Sequence, residues 1–224
     1  MPRKTLLAQA AVKYLAGVIL VSLLLFLPAG TVRYPGAWRF MVLLFVPMLF
    51  LGLVLFLKAP DLLQKRLSTS EKESAQKKAV SLSALLFLLG FILAGLDHRF
   101  GWSTLPGWTS TAASVLLLLS YAMYAEVMRE NAWLSRTVEV QAGQKVIDTG
   151  LYAIVRHPMY LAVTLLFFSI PLVLGSLVSF CVFLLFPFLL ALRIKNEERV
   201  LEEGLEGYHA YRQKVKYRMI PFIW

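Results

Sequence analysis

The chain has 224 residues, 58% of them hydrophobic and 16% charged, with a formal net charge of +10. That balance excludes a soluble domain built on one buried core, and a single cysteine, Cys181, excludes an intrachain disulfide framework. The positive charge collects at the borders of apolar runs, which fits membrane topology and anionic headgroups rather than nucleic acid.

The first apolar run, 14–32, follows the basic start Pro2-Arg3-Lys4. It is too long for the apolar region of a cleaved leader and reads as a retained first span. Further charge-poor windows follow at 40–57, 79–96 and about 106–125. Between them, Asp61-Leu62-Leu63-Gln64-Lys65-Arg66-Leu67 after Pro60 has the pattern of a short interfacial helix, with an ordinary loop as the alternative. Ser70-x-x-Glu73 is a capping box ahead of the third span. The polar connection 129–157 is the longest outside the apolar runs, and Val138-Glu139-Val140 within it alternates like a short extended piece.

The last apolar stretch, 157–192, lies between two polar motifs, Arg156-His157-Pro158-Met159-Tyr160 and Arg193-Ile194-Lys195-Asn196-Glu197-Glu198-Arg199. A single helix over its 32 residues from Leu161 to Leu192 would reach about 48 Å, against a hydrocarbon core of about 30 Å. The stretch is therefore expected to double back near Gly175-Ser176, as segments of about 158–174 and 177–193 that Pro171 and Pro187 can bend. The fold class is thus all-α: a polytopic membrane helix bundle of about six segments, the last two a helical hairpin, followed by a C-terminal helix. With the N-terminus cytoplasmic, only Arg33, Arg39 and Arg99 of the 23 Lys and Arg face outward, and both termini are cytoplasmic. The tail from Arg193 to Met219 reads as one helix ended by Pro221, with Glu197, Leu201, Leu205 and Tyr208 on one stripe. An acid heading an apolar stripe is a local inconsistency of the kind that marks function, although a pair with Arg193 one turn back would also account for it.

The fold-back brings Tyr152, Arg156, His157, Tyr160, Arg193, Glu197 and Glu198 to one membrane face. Each alone has a plainer explanation: a charge anchor, a helix-start residue, a belt aromatic or a solvated helix surface. Together they make a site, because ionisable groups at the edge of spans are costly unless they face a cavity. No metal is expected: there is no HExxH and no Cys pair, and only His98, His157 and His209 are present. GxSxG, GxGxxG and GxxxxGK[ST] are also missing, which argues against a nucleophile elbow and against soluble dinucleotide or P-loop domains. The remaining groups suit a charged organic cofactor: Arg and His for a carboxylate, Glu for an ammonium or ribose hydroxyls, Tyr for a base or a cation.

The run Gly150-Leu151-Tyr152-Ala153-Ile154-Val155-Arg156-His157-Pro158-Met159-Tyr160, then Asn196-Glu197-Glu198, Tyr208-x-x-Tyr211 and Tyr217-Arg218-x-x-Pro221 resembles the isoprenylcysteine carboxyl methyltransferase family and the related phospholipid methyltransferases. The likeness covers about residues 131–224. Asn131-x-Trp133-x-x-Arg136 and Asp97-His98-Arg99-Phe100-Gly101-Trp102 are similar to bacterial members, which implies a bacterial inner membrane. The resemblance implies S-adenosyl-L-methionine as methyl donor and a lipophilic acceptor, an isoprenylcysteine-like carboxylate or a phospholipid amine. It assigns cofactor contacts to Gly150, Leu151, Tyr152, Arg156, His157, Tyr160 and Glu198, and places Arg193 and Glu197 beside the reacting centre. Leu151 stands where many members carry proline. On this reading residues 1–128 are spans for lipid and substrate access, and 129–224 form the cofactor-binding and catalytic region. Membrane sterol reductases carry a similar RHPxY element with a nicotinamide cofactor, so an NADPH-dependent reductase is the first rival; a non-catalytic membrane scaffold is the second.

Overall fold

Helices whose apolar residues run all the way round need lipid as well as one another. The computed structural model describes residues 3–67, 74–134 and 139–224. Among these the structure is all helical: α1 (Arg3–Ala29), α2 (Pro35–Lys58), α3 (Pro60–Leu67), α4 (Ser74–Phe100), α5 (Gly107–Glu130), a 3-10 turn (Gly150–Ala153), α6 (Pro158–Leu174), α7 (Leu177–Phe183), α8 (Phe186–Gly204) and α9 (Tyr208–Lys214). By length and composition α1, α2, Val80–Phe100 of α4, α5 and the run Leu177–Gly204 can each cross a membrane, and α6 is a shorter apolar helix of 17 residues. This is the polytopic bundle the hydropathy pattern predicts. Leu15, Ile19, Leu23 and Leu27 of α1 and Val42, Val46 and Phe50 of α2 lie on the outside. The interfacial helix at 61–67 forms as α3, one residue longer at its start. The Ser70–Glu73 capping box lies outside the described residues, as does Val138; Glu139 and Val140 are not in a strand.

The core joins α1, α2, α4, α5, α6, α7 and α8 around Phe40, Phe91, Leu117, Ile170, Phe183 and Phe186. Phe87 packs edge-on against Phe167 and Phe183, with ring centroids 4.8 and 5.6 Å away. At the end of the bundle away from the polar motifs, a short network fixes the reversal between α6 and α7. Gly175 takes the left-handed conformation (φ 81°) that ends α6, and the Ser176 N–H donates to the Pro171 carbonyl at 2.9 Å. Ser176 then caps α7, its Oγ accepting from the Ser179 N–H at 3.0 Å, and donates its own proton to Asp97 of α4. Asp97 also accepts from the Ser103 N–H (2.7 Å) and Oγ (2.6 Å). The buried Asp97 carboxylate is thus satisfied by the α4–α5 connection and the hairpin tip together, which locks the fold-back in place.

The returning arm is not one helix. It breaks at Leu184–Leu185 between α7 and α8, and Pro187 sits in the first turn of α8, where its missing N–H is no loss. The tail also departs from the single helix expected over 193–219. α8 ends at Gly204, Gly207 turns the chain with φ 83°, α9 spans only Tyr208–Lys214, and the chain from Val215 is non-helical well before Pro221. The cause is pairing: the N–H groups of Arg156 and His157 donate to the carbonyls of Tyr217 and Arg218 at 2.9 and 2.7 Å. A continuing helix would have kept those carbonyls for itself.

Candidate functional site

Proline at the first position of α6 disfavours the helical conformation for the residue before it. His157 accordingly adopts φ −126°, ψ 61° as the N-cap, and it is 5% exposed. Across the hairpin, α8 presents two consecutive acids. Neighbouring residues on a helix point about 100° apart, so Glu197 and Glu198 face different surroundings.

Glu198 is buried and does not line the cleft that Glu197 borders. Its Oε1 accepts from Arg156 Nε at 2.7 Å and lies 3.3 Å from His157 Nε2, and its Oε2 accepts from Arg218 Nε at 2.8 Å. Arg156 is spent in the same knot, since Nη1 donates to the Val215 and Lys216 carbonyls at 2.6 and 2.9 Å. Glu197 faces that cleft. Its Oε2 accepts from the Tyr160 hydroxyl at 2.6 Å, its Oε1 lies 4.0 Å from His157 Nδ1, and Arg193 hydrogen-bonds the same Tyr160 phenol. The imidazole therefore stands between the two carboxylates, and the second holds it in place.

The cleft is open to solvent on one side. The hairpin contributes Tyr152, Arg156, His157, Tyr160, Arg193 and Glu197 to its wall. Tyr208 and Tyr211 of α9 close one side, and Trp133, Lys145 and Val146 from the polar connection close another. The Tyr152 phenol accepts from Asn131 Nδ2 at 2.9 Å, and its carbonyl accepts from the Tyr211 hydroxyl at 2.8 Å. Burial pushes the phenols of Tyr152, Tyr208 and Tyr211 above the ordinary tyrosine value, so all three stay neutral donors near pH 7.

Six of the nine residues singled out in the sequence thus line one cleft. Gly150, Leu151 and Glu198 do not. Gly150 abuts the Glu130 carboxylate, which accepts from Thr149 Oγ1 at 2.7 Å. Leu151 offers its carbonyl to the N–H groups of Ile154 and Val155, which shapes the turn ahead of Arg156. Sequence reasoning missed Lys145 and Val146, which no motif distinguishes from loop. It also missed Arg218 as the third partner of Glu198 and Tyr208 as a cleft residue, although both stood in the quoted tail pattern.

Among the described residues, the acidic and basic side chains along the cleft are Glu139, Lys145, Arg156, His157, Arg193 and Glu197. Setting aside Arg156, which Glu198 neutralises, two cations face two carboxylates. Such a lining suits a zwitterion that also carries an aromatic base, the latter against Trp133, Tyr208 or Tyr211. S-adenosylmethionine has that chemistry.

The family model for phospholipid methyltransferase matches residues 107–206. The chain is similar to the uncharacterized protein YpbQ of Bacillus subtilis (strain 168), 30% identical over 97 residues, which are 43% of this chain and 58% of that one. It is also similar to the Delta(14)-sterol reductase TM7SF2 of Mus musculus, 30% identical over 91 residues, 39% of this chain and 22% of that one. The matches therefore span 58% and 22% of the lengths of these relatives. The span that matches the phospholipid methyltransferase model runs from the first residue of α5 to just past the end of α8 and contains both polar motifs of the hairpin.

Proposed function

We propose that this chain is an integral membrane S-adenosylmethionine-dependent methyltransferase acting on a lipophilic acceptor at the cytoplasmic membrane face. The observation that carries the reading is the charge-balanced cleft between α6 and α8, joined to the family match over 107–206. The excess of Lys and Arg at the same end supports the cytoplasmic orientation.

When bound, S-adenosylmethionine supplies a sulfonium methyl to an incoming nucleophile and leaves as a neutral thioether. His157 would hold the carboxylate end of the cofactor, with Arg193 and Glu197 beside the reacting centre. Glu198 fixes His157 from behind, together with Arg156 and Arg218. Tyr152 and the 3-10 turn at Gly150–Ala153 shape the nucleoside end. Met159, Leu201 and Leu205 keep the wall between them dry. A carboxylate nucleophile, such as that of an isoprenylcysteine-like acceptor, needs no base, and Arg193 orients it. A phospholipid amine must lose a proton, and Glu197 takes it. Alignment in the cleft is the enzyme's main contribution.

A nicotinamide-dependent reduction is the second reading, favoured by the similarity to the sterol reductase. Among the described residues, once Arg156 is paired with Glu198, two cations and two carboxylates line the cleft, a poor match for a cofactor with several phosphate charges. The test is thermal unfolding of the purified protein in detergent with each ligand. S-adenosylhomocysteine at about 100 times its Kd should stabilise by about 2.7 kcal/mol, and NADPH should leave the melting temperature unchanged. Stabilisation by NADPH alone would replace the methyltransferase reading with the reductase, and no response to either would favour a scaffold. Labelled methyl donor with total membrane lipid extract then identifies the acceptor by mass.

A further inference from the structure

Tyr208 is 4% exposed, and its hydroxyl is buried with no hydrogen-bond partner among the described residues. The ring has a sufficient structural role. It packs with Leu205, Tyr211 and Val215 against Val140, Val146 and Leu201, and a phenylalanine would serve that role without a polar atom. A buried hydroxyl left unpaired costs stability, so the oxygen needs a separate account.

Among the described residues the nearby polar groups bond to one another and not to this hydroxyl. Arg156 gives Nε to Glu198 and Nη1 to two backbone carbonyls. Glu198 accepts from Arg156 and Arg218 and touches His157. The Tyr160 hydroxyl occupies Glu197 Oε2. Tyr211, whose ring centroid lies 5.8 Å from that of Tyr208, donates to the Tyr152 carbonyl. What remains beside the phenol is the cleft itself, which Tyr208 lines together with His157, Arg193 and Glu197.

We propose that Tyr208 is a ligand-binding residue whose hydroxyl donates a hydrogen bond to an acceptor atom of the bound S-adenosyl cofactor. This rests on the methyltransferase reading and adds to it a contact that no motif assigned. The phenol is a neutral donor under all physiological conditions, since burial first, and then the nearby charges of Glu198 and Glu197, hold its proton on. It is the polar tip of an otherwise apolar wall, so its bond forms only when the cleft is filled.

The test compares Tyr208→Phe with wild type by calorimetry in detergent, using S-adenosylhomocysteine and 5′-methylthioadenosine, which lacks the amino-acid end. Affinity for S-adenosylhomocysteine should fall roughly tenfold, while the melting temperature without ligand stays level or rises. A loss confined to S-adenosylhomocysteine places the partner in the amino-acid portion, and an equal loss with both places it in the nucleoside. Unchanged affinity for both ligands would overturn the proposal. So would a lower melting temperature without ligand, because the hydroxyl would then have a partner within the protein. If wild type binds neither compound, the methyltransferase reading fails first and separately.

Discussion

Removing the Glu198 carboxylate separates the two consecutive acids most sharply. In Glu198→Ala, three donors lose their acceptor at once: Arg156 Nε at 2.7 Å, Arg218 Nε at 2.8 Å and His157 Nε2 at 3.3 Å. Stripping one partner from a buried ion pair costs about 3–5 kcal/mol. Two features place the expected value at the lower end. The Arg156 guanidinium keeps the carbonyls of Val215 and Lys216, and the Arg218 side chain is 27% exposed, so water takes over part of its loss. A cost of about 3 kcal/mol lowers the melting temperature of a chain of this size by roughly 6–12 °C. Glu197→Gln should behave differently. The Glu197 side chain is 25% exposed, and its amide oxygen can still accept from Tyr160, so the stability cost should stay below about 1 kcal/mol. Thermal unfolding in detergent, followed by tryptophan fluorescence, reads both variants. Melting temperatures for the two within about 1 °C of each other would refute the assignment of Glu198 as the buried brace and Glu197 as the cleft-facing acid.

Other perturbations separate binding, chemistry and packing. Arg193→Ala is expected to lower methyl transfer by about 10³-fold while the affinity for S-adenosylhomocysteine changes by less than about threefold; parallel losses in both would move Arg193 into the binding set. His157→Ala should weaken S-adenosylhomocysteine by about 10- to 100-fold in calorimetry, the worth of a charge-assisted contact, and an unaltered Kd would remove His157 from the ligand contacts. Gly95→Ala tests the close approach of α1 and α4 far from the cleft. An added Cβ would stand 2.6 Å from the Leu25 carbonyl and 3.1 Å from the Ala29 nitrogen. That overpacking should cost about 1–3 kcal/mol, and a wild-type melting temperature would show that the two helices separate freely.

Hydropathy and charge alone carried the number of segments, the short helix after Pro60 and the doubling back between Arg156 and Arg193. Those features follow from local quantities: the length of an uncharged run against the thickness of a bilayer, a glycine at the turn, a proline after the histidine. The convergence of His157 with the two glutamates followed as well, since a hairpin can only return its second arm to the end where it began. Which glutamate meets the cleft was not legible, because adjacent residues differ by about 100° around a helix and only packing sets the rotation of α8. The same holds for the break in the tail at Gly207, for Arg218 against Glu198, and for Lys145 and Val146 on the cleft wall. Each depends on which backbone carbonyls and charges the rest of the fold leaves in need of a partner. The sequence by itself determined the segments and their turns, and the tertiary structure decided which polar atoms face one another and which face the open cleft.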